Sequence, residues 1–341
     1  MTSVDVHQHH WGPKLLTALR QRTAPPCLRD WTLYLRGEPP YPVDPADHDP
    51  SRRAALSRAD GLDVALISLS SPLGIEWLPP EEAAPLLAAY HEDAAALPAP
   101  FRAWASACVS DQAPVDQDAL ARVLDDGFVG LQLPADALAD AAGYERCLPL
   151  LEVLEDRNLP LFVHPGPATA PRAHNTGNGP DSSGGTRSPH PQGVAARPMS
   201  GDRGEHAPAD GPVWWAAMVP YVQQMHAAWF AFRAFGRPRH PRLRVCFAML
   251  AGLAPAHGER FAVRGGGRGE VDMDAFVETS SYGPRAVDAV VRALGVDVVV
   301  HGSDRPYAPP RDSGLGDAAR HAFRNTNPRR LLTGKEHSHG L

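Results

Sequence analysis

Residues 3–7 read SVDVH, a short β-branched run, and two histidines two residues apart, His7 and His9, stand at its end. Brief, mostly apolar runs of the same kind recur at 63–69 (DVALISL), 101–108 (FRAWASAC), 128–133 (FVGLQL) and 159–164 (LPLFVH). Three more follow at 243–248 (LRVCFA), 275–279 (AFVET) and 296–301 (VDVVVH). Near-continuous apolar strands are buried on both faces, the habit of parallel sheets covered by helices. The stretches between them supply those helices. Residues 81–96 are rich in Ala, Leu and Glu, and 116–125 carry Ala119, Leu120, Val123 and Leu124. Leu148, Leu151 and Leu154 in 144–157, and Ala286, Val290 and Leu294 in 285–294, fall at helical spacing. Eight strands alternating with helices predict an α/β fold, a single (β/α)8 TIM barrel; a doubly wound open sheet is the competitor, and the count of eight favours the barrel.

Two stretches break the alternation. Residues 11–50, rich in Pro, Trp and Tyr, read as a long excursion after the first strand. Residues 165–212 are dense in Gly, Pro, Ser, Asn and Asp and cannot bury enough apolar surface for a core of their own. They read as a flexible loop insertion after the fifth strand, at the end of the barrel where enzymes build lids. No repeat and no domain boundary divides residues 1–341, so one barrel domain is expected.

Composition excludes several classes of function. The 341 residues are 43% hydrophobic, enough for an ordinary core, and the net charge of −6 lacks the basic footprint of a nucleic-acid binder. No apolar run reaches the roughly 18 residues of a membrane span. The opening MTSVDVHQHHWGP has neither a basic nor an apolar leader segment, so a cytoplasmic protein is expected. Cys27, Cys108, Cys147 and Cys246 lie far apart and read as reduced, mostly buried residues.

The chemistry gathers at strand ends. Strand side chains alternate, so His7 and His9 point to one face, which in a barrel is the interior at its C-terminal mouth. His164 closes the fifth run just before Pro165 and Gly166, and Asp304 follows the eighth in VVVHGSDRPY. Taken singly, each has an ordinary explanation: a His-rich turn with His10, a solvent-facing strand end, an Asp that caps a helix. Taken together, three imidazoles and a carboxylate from strands one, five and eight make a four-ligand set suited to a divalent metal. Strands eight and one are neighbours in a closed barrel, so Asp304 can face His7 and His9.

This combination resembles the amidohydrolase superfamily, and above all its amidohydrolase-related branch, which contains aminocarboxymuconate-semialdehyde decarboxylase. The resemblance covers most of the chain, through VDVHQH, LFVHPGP, HPRLRVCFAMLAGLAP, FVETSSYGP, VVVHGSDRPY and FRNTNPRRLL. It implies that His7, His9, His164 and Asp304 hold one divalent ion, with zinc expected, and that Asp304 transfers the proton. It also implies a histidine after the sixth strand, where this chain has Met249, and in some members a carboxylated lysine on the fourth, where GFVGLQLP has none. A thioether is neither an acid nor a base, so a single metal is expected.

Lesser candidates surround this set. Arg264 or Arg260 can clamp a carboxylate or simply end a solvated helix. Tyr282, with Ser280 and Ser281, can donate to substrate. Trp214, Trp215, Tyr221, Trp229, Phe230 and Phe232 read as core, with Met218 and Met225, and the alternative is that Trp215 or Trp214 walls the pocket. His257 can replace the missing histidine or lie at the surface, and His174 or His206 from the insertion could do the same. His301 reads as core or as support for a ligand; His337 and His339 belong to a tail. The expected activity is hydrolysis of a C–N or C–O bond in a small-molecule amide, ester or lactone by metal-activated water. The alternatives are decarboxylation of a small unsaturated or aromatic acid and a non-catalytic metal- or ligand-binding barrel. Of partners, only a small-molecule substrate and, from the resemblance, a second copy in a homodimer are expected.

Overall fold

The computed structural model describes residues 2–168, 212–267 and 270–334. Its strands are β1 (Val4–His9), β2 (Cys27–Arg29), β3 (Thr32–Tyr34), β4 (Tyr41–Pro42), β5 (Val64–Ser68), β6 (Phe101–Ala103), β7 (Ala105–Ser106), β8 (Leu131–Pro134), β9 (Leu161–His164), β10 (Val245–Phe247), β11 (Ala275–Glu278) and β12 (Val299–Val300). Each of the eight expected runs holds a strand. The third is broken in two at Trp104.

The parallel ladder runs β1-β5-β6 and then β7-β8-β9-β10-β11-β12. Backbone hydrogen bonds close both gaps. At the break, Trp104 N–H donates to the Ile67 carbonyl (2.9 Å) and Ala105 N–H to that of Gly130 (2.8 Å). At the other seam Val6 N–H donates to the His301 carbonyl (2.9 Å), Asp304 N–H to that of His7 (2.8 Å) and His9 N–H to that of Arg305 (2.7 Å). The result is a closed barrel, which the count of eight strands favours over the open sheet. Trp104 and Phe162, both fully buried, stack at 5.3 Å and fill the barrel below the histidines of β1.

The expected helices fall in their gaps as Pro80–Ala95, Gln117–Asp125, Ala141–Asp156 and Pro284–Leu294. Asp116 caps the second of these by accepting from Ala119 N–H at 2.8 Å. The excursion 11–50 is more ordered than its composition indicated. It contains helix Pro13–Gln21 and the antiparallel sheet β2-β3-β4, with Asp30 in the left-handed region (φ 50°) at the β2–β3 turn.

Helix Pro220–Ala231 buries Met225, Ala228 and Trp229, as its aromatic spacing predicts. Met218 departs from the expected core placement: it is 59% exposed, on the short helix Trp215–Met218 that Pro220 separates from the longer one. Most of the insertion, with His174 and His206, and the tail histidines His337 and His339 lie outside the described residues.

One buried side chain staples the β12–β1 seam. Arg53, 1% exposed on helix Pro50–Ala59, donates to the His9 carbonyl (2.7 Å), Gln8 Oε1 (2.6 Å), the Asp47 carbonyl (3.1 Å) and the Arg305 carbonyl (3.3 Å). Methionine keeps much of the volume but leaves these buried acceptors without a donor. Arg53→Met is therefore expected to destabilise the fold by roughly 2–4 kcal/mol in equilibrium denaturation.

Candidate metal centre

Ring closure brings the ends of β1, β9 and β12 to one point. His7, His9, His164 and Asp304 each offer a ligand atom, and these atoms lie within 4.8 Å of one another. His7 Nε2 and His9 Nε2 are 2.9 Å apart, and Asp304 Oδ1 lies 3.2 Å from His9 Nε2 and 3.6 Å from His7 Nε2. The His164 ring is 4.9 Å from that of His7 and 5.0 Å from that of His9.

The outer nitrogen of every ring is engaged. His7 Nδ1 meets Glu278 Oε1 at 3.0 Å, His9 Nδ1 the Ser68 carbonyl at 2.9 Å, and His164 Nδ1 the Pro165 carbonyl at 2.9 Å. Acceptors at all three Nδ1 positions place the protons there and leave each Nε2 lone pair for the centre. Two such lone pairs facing each other at 2.9 Å need a cation, either a proton or a metal. The donor set, three imidazoles and one carboxylate, fits a single divalent ion.

Electrostatics divides the rings. Burial opposes charge on His7, but Glu278, then Asp304 and Asp5, outweigh it and hold its pKa above the ordinary value. Burial lowers that of His9, and burial with the neighbouring His7 and His9 takes His164 well below the usual range. Glu278, itself fully buried, is kept ionised by His7 and by donors from Ser280 Oγ and the backbone N–H of Met249 and Ser280 (2.6–2.7 Å). Gly302 makes room for it, since a Cβ there would collide with Glu278 Oε2. Sequence reasoning missed Glu278. FVET was read only for the residues after it, although an acid closing an apolar strand was the available signal.

Asp304 is the outermost of the four clustered residues, 19% exposed, with φ at 63° and Ser281 Oγ 3.4 Å from its Oδ2. Rings wall the adjoining space. Tyr307 lies 5.3 Å from His9, 6.5 Å from Trp11 and 6.2 Å from Tyr41, and Trp11 stacks on His48 at 4.8 Å. Tyr221 OH donates to Glu38 at 2.5 Å, joining helix Pro220–Ala231 to the excursion.

Two further buried carboxyl groups, Glu76 and Asp136, hold their protons to higher pH than usual. Glu76 is fully buried and accepts from Ser71 Oγ, to which Gln132 Nε2 also donates (2.6 Å). Burial pushes Glu76 up to about 7 and Asp136 up to about 6. Glu76 Oε2, Gln132 Oε1 and Asp136 Oδ2 have no hydrogen-bond partner among the described residues.

Met249 does stand at the end of β10, but only its N–H reaches Glu278. From Met249 to Leu253 the backbone is left-handed (φ 48–62°), a conformation that costs about 1–2 kcal/mol per non-glycine residue. His257 packs against His226 (5.1 Å) and is not part of the cluster. Arg264 is exposed just past helix Gly258–Val263, and Trp215 is 51% exposed beside Trp214. Tyr282 follows β11 and lines a side cavity with the buried His301. None of these three substrate-binding candidates, Arg264, Trp215 or Tyr282, is among the four clustered ligands.

The architecture is that of α/β barrels that carry their reactive groups at the C-terminal strand ends. Among solved structures, IDCase of Metarhizium anisopliae in its apo form aligns over 97% of both chains, with a TM-score of 0.69 at 18% identity. A 2,6-dihydroxybenzoate decarboxylase from Rhizobium aligns over 97% of this chain and 98% of its own (TM-score 0.63, 18% identity). A dihydroxybenzoic acid decarboxylase from Polaromonas sp., with bound manganese and the inhibitor 2-nitroresorcinol, aligns over 97% and 96% (TM-score 0.60, 16% identity). Identities this low establish a shared fold, here from end to end. No protein-family model and no curated protein sequence matches the chain.

Two outcomes follow from the site. Elemental analysis is expected to find one divalent ion per chain, absent from a His7→Ala/His9→Ala variant and bound about 10–100-fold more weakly by Glu278→Gln. Glu76 sets a pH dependence: the folded chain keeps its proton where the unfolded chain, near 4.5, has lost it. Its contribution is therefore fully present below the unfolded pKa and is lost as pH rises toward about 7, by about 3 kcal/mol in all. Relative to wild type, Glu76→Gln should gain that amount between pH 4.5 and pH 8 in denaturation experiments. A pH-independent difference would assign the proton elsewhere.

Proposed function

We propose that this chain is a metal-dependent decarboxylase of a small aromatic carboxylic acid. The observation that carries this reading is a three-histidine, one-aspartate centre at a barrel mouth walled by Trp11, Tyr41 and Tyr307. Flat rings favour a flat substrate through offset or edge contacts. The activities of the structural neighbours support decarboxylation over the hydrolysis expected from sequence. The manganese bound by the Polaromonas enzyme makes manganese as reasonable an ion as zinc for a mixed nitrogen and oxygen donor set.

His7, His9, His164 and Asp304 would hold the ion. When bound, it would neutralise and orient the substrate carboxylate. Asp304 borders solvent and is the one ligand that can exchange protons with it. In its acid form it delivers a proton to the ring carbon that bears the carboxylate. The carbon–carbon bond then breaks, its electron pair restores the aromatic ring, and carbon dioxide leaves. The aspartate regains its proton from the solvent side. Glu278, through His7, keeps the centre in register during this exchange.

Hydrolysis is the second reading. It is favoured by Met249, because a metal-activated water and Asp304 suffice for it without a second acid or base.

A panel of hydroxybenzoates assayed in D2O separates the two readings. Decarboxylation releases carbon dioxide and leaves one deuterium on the carbon that lost it. Cleavage of amides, esters or lactones without carbon dioxide release would replace the proposal with hydrolysis. Asp304→Asn is expected to lower turnover at least about 10²-fold, with the folded structure retained by circular dichroism.

A further inference from the structure

A cavity of about 210 Å³ opens beside the metal centre rather than over it. It lies between the loop after β11, which supplies Thr279 and Tyr282, and the loop after β12, which supplies Arg311. Arg320 and Arg324, on the helical stretch that follows, the buried His301, and Asp60, Asp312 and Ser313 complete the polar lining.

The charges of this lining do not cancel. Arg320 is neutralised by Asp312 (2.9 Å) and Asp317 (2.8 Å). The Asp60 carboxylate is taken by Arg305 at 2.7 Å. Among the described residues Arg324 donates only to the Asp60 carbonyl (2.9 Å) and approaches His301 Nε2 (3.5 Å), whose pKa burial lowers. Arg311 has neither an ion pair nor a hydrogen bond among the described residues. Two guanidinium groups thus border one cavity without a carboxylate partner among the described residues, and Thr279 and Tyr282 line the same space. Guanidinium groups bind oxyanions through paired hydrogen bonds. The loops after strands seven and eight are also where α/β barrels commonly take phosphate.

We propose that this cavity is a binding site for a small oxyanion, held by Arg311 and Arg324 with hydrogen bonds from Thr279 and Tyr282, and separate from the metal centre. Phosphate and carboxylate groups share the required chemistry. The site does not depend on which reaction the metal centre performs.

Isothermal titration calorimetry at constant ionic strength, with inorganic phosphate in one series and benzoate in another, tests this. The wild-type chain should bind at least one of the two, which also identifies the source. The His7→Ala/His9→Ala variant should bind it with unchanged affinity, since the metal centre is not involved. Arg311→Gln, at an exposed residue without partners, should raise Kd at least tenfold, and Arg324→Gln likewise. The proposal is overturned if neither ion binds wild type at millimolar concentration. It is equally overturned if the histidine variant loses binding while Arg311→Gln retains it.

Discussion

His7 and His9 turn bare nitrogens toward each other at hydrogen-bonding distance inside a closed barrel, and much of the surrounding architecture serves to hold them there. Left alone, such a pair would repel. Each ring is fixed from behind by an acceptor on a different strand: Glu278 on β11, the Ser68 carbonyl on β5, and the Pro165 carbonyl after β9 for their neighbour His164. The geometry of the centre is therefore a property of the whole ring of strands. Arg53 and the backbone bonds across the β12–β1 seam are part of it, because they set Asp304 against His7 and His9.

The mouth is also divided electrically. On one side Glu278 is ionised and draws positive charge to His7. On the other, burial outweighs the donors that Glu76 and Asp136 have, and both hold their protons to higher pH. The ionised Glu278 thereby favours a cation on the histidine side. Similar carboxyl groups differ in this way because only Glu278 combines a cationic partner with several backbone and hydroxyl donors.

Choice of reaction rests on what surrounds the ligands more than on the ligands themselves. The same four donors serve hydrolysis or decarboxylation. The aromatic wall comes from the excursion 11–50 and from Tyr307, and the Glu38–Tyr221 hydrogen bond anchors that excursion to helix Pro220–Ala231. A segment that interrupts the barrel's repeating pattern thus shapes the space in which a substrate would lie.

The periodic parts of the chain were legible from the sequence. Apolar runs at regular intervals require a sheet buried on both faces, and His7, His9, His164 and Asp304 stand out as polar residues at the ends of such runs. Glu278 was equally visible as an acid closing a strand, but its role depends on a contact 271 positions away along the chain. The small sheet β2-β3-β4, the exposure of Met218 and the left-handed turn at Met249 could not be read from periodicity, since packing against distant elements sets each of them. By itself the sequence determined which residues could carry charge or bind a metal, because that is a property of side-chain chemistry. Only the tertiary structure decided which of them meet, which keep their protons and which guanidinium groups are left without partners, because those depend on distance and burial.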